Sequence, residues 1–291
     1  MEVMQNVTSH LFAPLGTVKA DGSICSGAGE AGIEEGRGVN LPLTLEQIAN
    51  SEVVVLWGRN PHTSNSHLLP IIKGKKLIVI DPIKIDAVKS ADLHIQLKPH
   101  GDLFLALLIA RFVIIEGAED KEFLDKYCED HEDFYELTQS LRIKKTVEEI
   151  GITLGQIGEF MSHVKNKKTV FLVGTGVQRY RNGSEIIRSI DSLAAVLGLF
   201  GKSGCGVGFL SDSTYGVEMP FKKFKKSSPK ATIDFSKYET VFIQGSNPLS
   251  QLPNSKKLEK EIKKCENVVY FALFENESSK VANLIIPAKT F

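Results

Sequence analysis

The sequence predicts an α/β protein whose sheets are mainly parallel. The first reason is an apolar run that begins with Val53-Val54-Val55, which is typical of a strand buried on both faces. Gly58 ends this run, a helix-length stretch follows, and a second apolar run at 76–80 leads into Asp81. A strand, a turn, a helix and a strand in this order form a parallel βαβ unit.

The second reason is that the pattern repeats. Two later apolar runs, 168–173 and 240–244, also lead directly into a glycine. We therefore expect two three-layer αβα lobes, each with a mainly parallel sheet, after an N-terminal segment. The expected boundaries are 1–39 for that segment, 40–165 for the first lobe and 166–291 for the second.

Two of the predicted turns share the pattern G-x-N-P, namely Gly58-Arg59-Asn60-Pro61 and Gly245-Ser246-Asn247-Pro248. Glycine permits a positive φ, asparagine tolerates left-handed geometry and proline ends the strand. In open parallel sheets, ligands bind outside the carboxyl ends of the strands, and an acid such as Asp81 can meet a ribose there. One such turn is an ordinary tight turn, but two copies favour a site for a nucleotide-like group.

Composition narrows the classes of partner. With 291 residues and 42% hydrophobic residues the chain can bury a large core. The 35 basic and 35 acidic residues give a net charge of zero, which argues against binding to nucleic acid. The basic run 221–226 is interpreted as a solvated surface loop. No apolar stretch is long enough to span a bilayer, and the N-terminus lacks signal-peptide features, so the cytoplasm is the default location.

The four cysteines, Cys25, Cys128, Cys205 and Cys265, are far apart and form no C-x-x-C pair. This spacing argues against an iron–sulfur cluster or a structural zinc site within the chain. Cys25 differs from the others because small residues surround it at 23–29, where a bulky ligand can approach the backbone. From these residues alone, Cys25 is either a small cysteine in the core or a cysteine beside a bound ligand.

Six segments resemble the molybdopterin oxidoreductase family in their order along the chain: SICSGAGEAG, VVVLWGRNP, LIVIDPIKIDAVKSADLHIQLKPHGDLFLALL, VGTGVQRYRNG, GSNP and FENESSKVANLIIPAKTF. That family includes formate dehydrogenases and nitrate reductases, which hold molybdenum or tungsten between two molybdopterin guanine dinucleotides. The resemblance runs from about residue 10 to the end of the chain. It implies the two-electron oxidation or reduction of a small-molecule substrate.

The resemblance also implies a role for Cys25, which stands where the family has its protein ligand to the metal. Cys25 is therefore the expected catalytic residue and metal ligand, and a thiolate suits molybdenum or tungsten because it is a soft donor. Ser26 stands where formate dehydrogenases have a histidine thought to help move a proton. This departure argues against formate as the substrate.

The family's cofactor-binding motifs match a set of positions in both expected lobes. Of these, Asp81 is expected to bind a guanosine ribose, and Asp102 is expected to bind the N1–H and amino group of guanine. Ile83 stands where the family has an arginine after Asp-Pro, so Lys84 is the candidate for that contact. The matching positions are Gly58, Asn60, Pro61, Asp81, Asp102, Gly174, Gly176, Gln178, Gly245, Ser246, Asn247 and Glu277.

By the same resemblance, we expect that this sequence lacks the amino-terminal domain that holds a [4Fe–4S] cluster and the carboxyl-terminal domain that covers the pterins. We therefore expect the chain to be the central part of a larger enzyme and incomplete by itself. An electron-transfer iron–sulfur subunit is the expected partner.

Two alternatives stay open at this level. The chain could be a structural subunit related to the large iron–sulfur subunit of NADH:quinone oxidoreductase, which shares the fold. Cys25, Asp81 and Asp102 favour the cofactor-binding version. A nicotinamide dehydrogenase is disfavoured because no G-x-G-x-x-G opens the first unit.

Overall fold

The computed structural model describes residues 2–209 and 223–290, with side chains from residue 7 onward. The chain forms two compact bodies. The central body consists of residues Cys25–Glu218, and the terminal body combines Met1–Ile24 with Met219–Phe291. Each body is treated separately below.

The strands are β1 Val18–Asp21, β2 Val53–Trp57, β3 Lys76–Ile80, β4 Leu93–Ile95, β5 Thr169–Val173, β6 Gly206–Gly208, β7 Lys226–Pro229, β8 Thr240–Gln244, β9 Asn267–Ala272 and β10 Leu284–Pro287. The α-helices are α1 Glu2–Phe12, α2 Gly27–Arg37, α3 Leu45–Ala49, α4 Pro61–Ser64, α5 Leu69–Ile72, α6 Asp102–Ile115, α7 Lys121–Tyr127, α8 His131–Gln139, α9 Ile143–Ile150, α10 Leu154–Val164, α11 Gly183–Val196, α12 Pro248–Gln251 and α13 Ser255–Ile262. Short 3-10 helices cover Ala13–Leu15, Ser66–Leu68, Asp86–Ser90, Thr175–Gln178, Phe235–Lys237 and Ser279–Val281.

The central body is built on a five-stranded sheet in the order β4-β3-β2-β5-β6, and every neighbouring pair in it is parallel. All residues of β2 and β5 are buried, which agrees with their unbroken apolar sequences. Helices α2, α6, α10 and α11 contribute to the core on one face, while α3 and α5 contribute to the core on the other. The predicted α/β class with parallel sheets is confirmed.

The structure divides the chain differently from the expected boundary after residue 165. Strand β5, which was expected to open a second lobe, pairs in parallel with β2 in the first sheet. The physical reason is that β5 is apolar on both faces and reaches full burial only as an interior strand, between β2 and β6. The N-terminal segment is also divided, because β1 pairs with β7 in the terminal body.

The terminal body contains a three-stranded parallel sheet in the order β10-β9-β8. Leu258 and Ile262 of α13 pack with Val241 and Tyr270 of the sheet to form its core. Of the basic run 221–226, the first two residues lie outside the described part of the chain. The described lysines of that run are exposed, and β7 begins at the last of them.

Helix α6 is apolar around most of its circumference because it packs inside the central body. Among the helices that the structure describes, none has both the length and the apolar character that crossing a membrane requires.

The contact between α2 and α11 generates a stability prediction. A Cβ atom on Gly32 would overlap the backbone oxygen of Ser184 in α11, whereas one on Gly36 would meet its first neighbour, Arg188 Cγ, at 4.0 Å. We expect Gly32→Ala to lower the free energy of unfolding by about 1–3 kcal/mol, since one helix must move. Gly36→Ala in the same helix should leave it unchanged or raise it by about 0.5–1 kcal/mol. Urea unfolding measures both variants, and equal effects would contradict this account of the packing.

A second prediction concerns Asp191 of α11. Burial raises the pKa of this carboxyl to about 6, although Arg37 Nε lies 2.8 Å from its Oδ2. Folded Asp191 therefore keeps a proton that the unfolded chain releases near pH 4, so its contribution to the free energy of unfolding falls between about pH 4 and pH 6. Asp191→Asn removes this titration. The stability of the variant relative to the natural protein should rise by about 3 kcal/mol from about pH 4 to pH 7.

Urea unfolding across that pH range tests the Asp191 prediction. A stability difference between the variant and the natural protein that stays constant with pH would contradict it. Lys89 and Asp86 form an exposed ion pair, so Asp86→Asn serves as a surface control whose effect should stay small across the same range.

Candidate functional site

The candidate site of the central body lies at the carboxyl edge of the five-stranded sheet. Gly58 follows β2 and its N–H donates to Ile80 O at 2.8 Å, while the N–H of Gly174 after β5 donates to Trp57 O at 2.8 Å. The two turns thus extend the backbone ladders by one bond each. This is the edge where open parallel sheets bind their ligands.

The glycines of these turns allow the backbones to touch. A Cβ on Gly174 would overlap Gly58 O, and Gly58 has φ +58° with Val177 Cγ2 2.5 Å from the position of its missing Cβ. Side chains are therefore excluded at both positions. Gly176 is different, because a Cβ there would meet nothing within 4 Å. Its surface is open to an approaching group.

Two buried carboxylates lie at the same edge. Asp102, the first residue of α6, accepts a hydrogen bond from Trp57 Nε1 at 2.8 Å. Asp81, which follows β3, accepts from the backbone N–H of Ile83 at 3.0 Å. Burial raises the pKa of both carboxyls, and the charge of Asp81 raises that of Asp102 further. The structure thus brings together two acids that the sequence placed 21 residues apart.

The first G-x-N-P turn carries buried polar atoms that form no hydrogen bond within the described part of the chain. Arg59 Nε and Asn60 Oδ1 are buried and have no hydrogen-bond partner among the described residues. Burial lowers the pKa of Arg59, and burial is the whole cause of the shift. Pro61 follows as the first residue of α4, whose N-terminus is not capped by the Asn60 side chain.

Cys25 is anchored to the same edge through Gln178. The Gln178 side chain, which is buried, donates from Nε2 to Cys25 O at 2.9 Å and accepts from the N–H of Gly29 at 2.6 Å. The thiol itself is exposed, and Arg179 Nη2 lies 3.6 Å from Sγ. Cys25 is therefore not a core cysteine, and it stands beside the segment that follows β5.

A further cluster joins the loop before α6 to the loop before α11. His100 adopts φ +73°, its N–H donates to Tyr180 Oη at 3.0 Å, and the two rings lie 4.7 Å apart. His100 Nε2 lies 2.8 Å from Asn182 Oδ1. Sequence analysis did not predict this connection between two distant loops.

The second G-x-N-P turn belongs to the terminal body and is internally satisfied. Gly245, with φ +57°, follows β8, and its N–H donates to Phe271 O at 2.8 Å. Asn247 Nδ2 donates to Glu277 Oε2 at 2.7 Å, and Ser278 Oγ donates to Asn247 Oδ1 at 2.7 Å. The hydrogen bond that Asn247 Nδ2 donates to Glu277 lowers the pKa of the Glu277 carboxyl. The side chains of Asn247 and Glu277 hold each other.

The structure thus sorts the expected site residues by body. Gly245, Ser246, Asn247 and Glu277 lie in the terminal body, and the others lie in the central body. The residues that sequence reasoning missed are Trp57, Arg59, Arg179 and Tyr180. Trp57 carried a usable signal, because it is the only tryptophan in the chain and ends the most apolar strand.

The described residues contain no group of three or more His, Cys, Asp or Glu side chains that could hold a metal ion.

The anchoring of Cys25 generates a prediction. Gln178→Leu removes both hydrogen bonds to the Cys25 loop, so the loop should open and Cys25 should react with iodoacetamide several-fold faster. Gln178→Glu keeps the acceptor for the Gly29 N–H, so its rate of reaction at Cys25 should lie between those of Gln178→Leu and the natural protein. Peptide mass spectrometry measures the rate at Cys25, and Cys128 in the same sample serves as the internal control. An unchanged rate at Cys25 in Gln178→Leu would contradict the anchoring role.

Comparison with known proteins identifies the family of the chain. Residues 5–291 match the sequence model of the molybdopterin oxidoreductase family. The probable oxidoreductase YyaE of Bacillus subtilis is 27% identical over 94% of this chain and 44% of its own length. Formate dehydrogenase H of Escherichia coli is 24% identical over 96% of this chain and 45% of its own.

The assimilatory nitrate reductase catalytic subunit of Bacillus subtilis is 21% identical over 93% of this chain and 44% of its own length. The chain thus spans about half the length of the curated relatives it matches. Among solved structures, acetylene hydratase from Pelobacter acetylenicus has the same fold, with a TM-score of 0.73 and 17% identity over 97% of this chain and 47% of its own. The chain belongs to the molybdopterin oxidoreductase family.

Proposed function

We propose that the chain binds two molybdopterin guanine dinucleotides that carry molybdenum or tungsten, with Cys25 as the protein ligand to the metal. Its activity is the two-electron oxidation or reduction of a small molecule. The observation that carries the proposal is the position of Cys25, an exposed thiol fastened by Gln178 beside the carboxyl end of β5. A core cysteine in a structural scaffold has no need of such exposure, so this position favours the enzyme over a scaffold subunit.

The residues at the carboxyl edge fit such a group. The unsatisfied atoms of Arg59 and Asn60 offer one donor and one acceptor, and Gly176 leaves open space in front of the turn after β5. A nucleotide requires close approach to backbone at glycine turns and polar groups at the strand ends. Both features are present in the central body.

Each residue then has a role in holding the group. Asp81 at the end of β3 would bind a ribose, and Asp102 would bind a guanine through the oxygen that Trp57 does not use. In the terminal body, the backbone of Gly245 and Ser246 would approach the second dinucleotide. Asn247 and Glu277 shape that turn through their mutual hydrogen bond.

The bound metal would supply the two-electron chemistry. Cys25 would contribute a thiolate ligand, and Gln178 would hold its backbone while Arg179 places a positive charge beside the sulfur. Ser26, whose hydroxyl donates to Glu30 Oε1 at 2.5 Å, supplies no imidazole to move a proton from substrate. This difference argues against formate.

A partner that accepts or donates electrons completes the proposal. One relative is named as the alpha subunit of an F420-dependent formate dehydrogenase, which places that protein in a multisubunit enzyme. We propose an iron–sulfur subunit as the electron-transfer partner of the present protein.

The test starts from the full polypeptide, purified without oxygen from a host that makes the cofactor. Elemental analysis should find molybdenum or tungsten, and acid hydrolysis should release about two guanine nucleotides per metal atom, one from each dinucleotide. A protein that carries neither metal nor guanine nucleotide would refute the proposal.

A substitution separates binding from chemistry. Cys25→Ala should retain the guanine nucleotides, because many contacts elsewhere hold them, but reduce turnover with an artificial electron acceptor or donor by roughly a hundredfold or more, since even outer-shell partners of a metal contribute about 10–100-fold. Cys25→Ser should be milder if its oxygen coordinates. Cys128→Ala, a substitution of the same kind at the end of α7, should retain full turnover. Normal turnover in Cys25→Ala would show that Cys25 is not the ligand.

A further inference from the structure

A cleft of the central body lies at the amino edge of the five-stranded sheet, opposite the candidate site. Its volume is about 930 Å³, and its walls come from the end of α6, the segment before β5, the end of α11 and the segment before β6. The five residues of β5 separate the two edges by about 15 Å, because each residue of a strand rises about 3.3 Å. The cleft is therefore distinct from the candidate site, and its volume suits a small organic ligand.

Part of the cleft wall is apolar. The buried apolar residues that line it are Val113, Met161, Val164, Leu199 and Cys205. A flat heterocyclic ring gains free energy by packing on such a wall, whereas an inorganic ion does not. The wall therefore favours a ligand with a ring.

Glu119, which lines the same cleft, has an unsatisfied acceptor. Its side chain is only 3% exposed, and Lys121 Nζ lies 3.4 Å from its Oε1. The second oxygen, Oε2, is buried and has no hydrogen-bond partner among the described residues. A buried carboxylate oxygen without a donor reduces stability. A ligand that donates an N–H to Oε2 would remove this cost.

The charged residues of the cleft favour a ligand with a negative charge. Five lysines and three acids line it, which is an excess of two positive charges. Three of the lysines pair with these acids, and Lys167 pairs with Glu52. The fifth, Lys168, is exposed and forms no ion pair within the described part of the chain. This excess disfavours a metal cation or an amine beside Glu119, so the donor to Oε2 must be neutral while another part of the ligand is anionic.

The walls of the cleft are held in place by the protein's own contacts. The N–H of Asp120 donates to Val196 O at 2.9 Å, and Lys202 Nζ donates to Asp120 Oδ2 at 2.5 Å. The N–H of Lys168 donates to Glu52 Oε2 at 3.0 Å. A ligand would therefore enter a cleft that is already formed, which lowers the cost of ordering it.

We propose that this cleft binds a nucleoside phosphate, with the base on the apolar wall, an N–H of the base on Glu119 Oε2 and the phosphate at Lys168. A sugar phosphate lacks the ring that the wall favours, and a nucleoside lacks the negative charge. This inference does not rest on the proposed function, because it concerns the opposite edge of the sheet. A nucleoside phosphate in the cleft would leave the candidate site free.

Isothermal titration calorimetry of the full chain with AMP, adenosine and ribose 5-phosphate tests the proposal. Glu119→Ala should weaken the binding of AMP and adenosine by about tenfold or more, because a hydrogen bond to a charged group is lost, and leave ribose 5-phosphate unchanged. Lys168→Met should weaken AMP and ribose 5-phosphate by about threefold, as is usual for an exposed ion pair, and leave adenosine unchanged. This crossed pattern requires that the two residues contact different parts of the ligand.

The cysteine in the cleft wall locates the bound nucleotide. Saturating AMP should slow the alkylation of Cys205 by iodoacetamide several-fold, because the ring covers that wall. Cys265 has the same exposed fraction, 8%, but belongs to the terminal body, so its rate should stay unchanged. Peptide mass spectrometry measures both rates in one sample.

Control variants separate contact from a general change of charge. Glu119→Gln keeps an acceptor but loses the charge, so its AMP affinity should lie between those of the natural protein and Glu119→Ala. Lys89→Met removes an exposed lysine from the 3-10 helix Asp86–Ser90 and should leave AMP affinity unchanged. Thermal unfolding of each variant verifies that it is folded.

Each outcome decides for or against the proposal. The crossed pattern together with protection of Cys205 supports it. Failure of the natural protein to bind AMP overturns it, and so does binding that is unchanged in folded Glu119→Ala and Lys168→Met and leaves Cys205 unprotected. Ribose 5-phosphate that binds as tightly as AMP overturns the role of the base. None of these results alters the metal and guanine content that tests the proposed function, so the two proposals fail separately.

Discussion

The candidate site of the central body depends on the parallel pairing of β2 with β5. These strands are separated by more than a hundred residues, and they pair in register from Val53 with Thr169 to Trp57 with Val173. Each is buried along its whole length, and each fully buried aliphatic or aromatic side chain contributes about 1.5–3 kcal/mol of hydrophobic stabilisation. The pairing brings Gly58 and Gly174 into backbone contact. It also places Gln178 where it can hold Cys25.

The edge of this sheet collects polar groups that are only partly neutralised. Asp81 and Asp102 are buried carboxyls with raised pKa values, and Arg59 is a guanidinium with a lowered one. Each shift has burial as its main cause, so each group is held in a less favourable environment than water. Such groups reduce stability unless a ligand or partner compensates them, and functional sites are where proteins retain them. The rest of the central body, with its apolar core on both faces of the sheet, supplies the stability that this arrangement requires.

The two G-x-N-P turns show that a motif determines backbone shape more reliably than chemical availability. Both glycines have a positive φ, +58° in Gly58 and +57° in Gly245, and both follow the end of a parallel strand. Their asparagines differ because their neighbours differ. Ser278 and Glu277 lie within reach of Asn247, whereas no described residue satisfies Asn60 Oδ1. The protein therefore has two turns of one shape, with an unsatisfied asparagine oxygen in one of them.

The amino-acid sequence was sufficient to predict the α/β class, the parallel strands and the glycine turns, because these follow from local patterns. An unbroken apolar run requires burial on both faces, and glycine followed by asparagine and proline ends a strand wherever it occurs. The family resemblance also predicted that Cys25 is the metal ligand, which stays a prediction. The partition into two bodies did not follow, because β5 is equally apolar whichever sheet it joins.

The contacts that define the site depended on tertiary structure for the same reason. Nothing local marks Trp57 as the partner of Asp102, or Gln178 as the residue that holds Cys25. Sequence reasoning predicted that Asn247 and Glu277 bind the cofactor, but it did not predict the hydrogen bond between them. A side chain's chemistry is set by its type, but its partners, its burial and its pKa are set by residues that only folding brings near it.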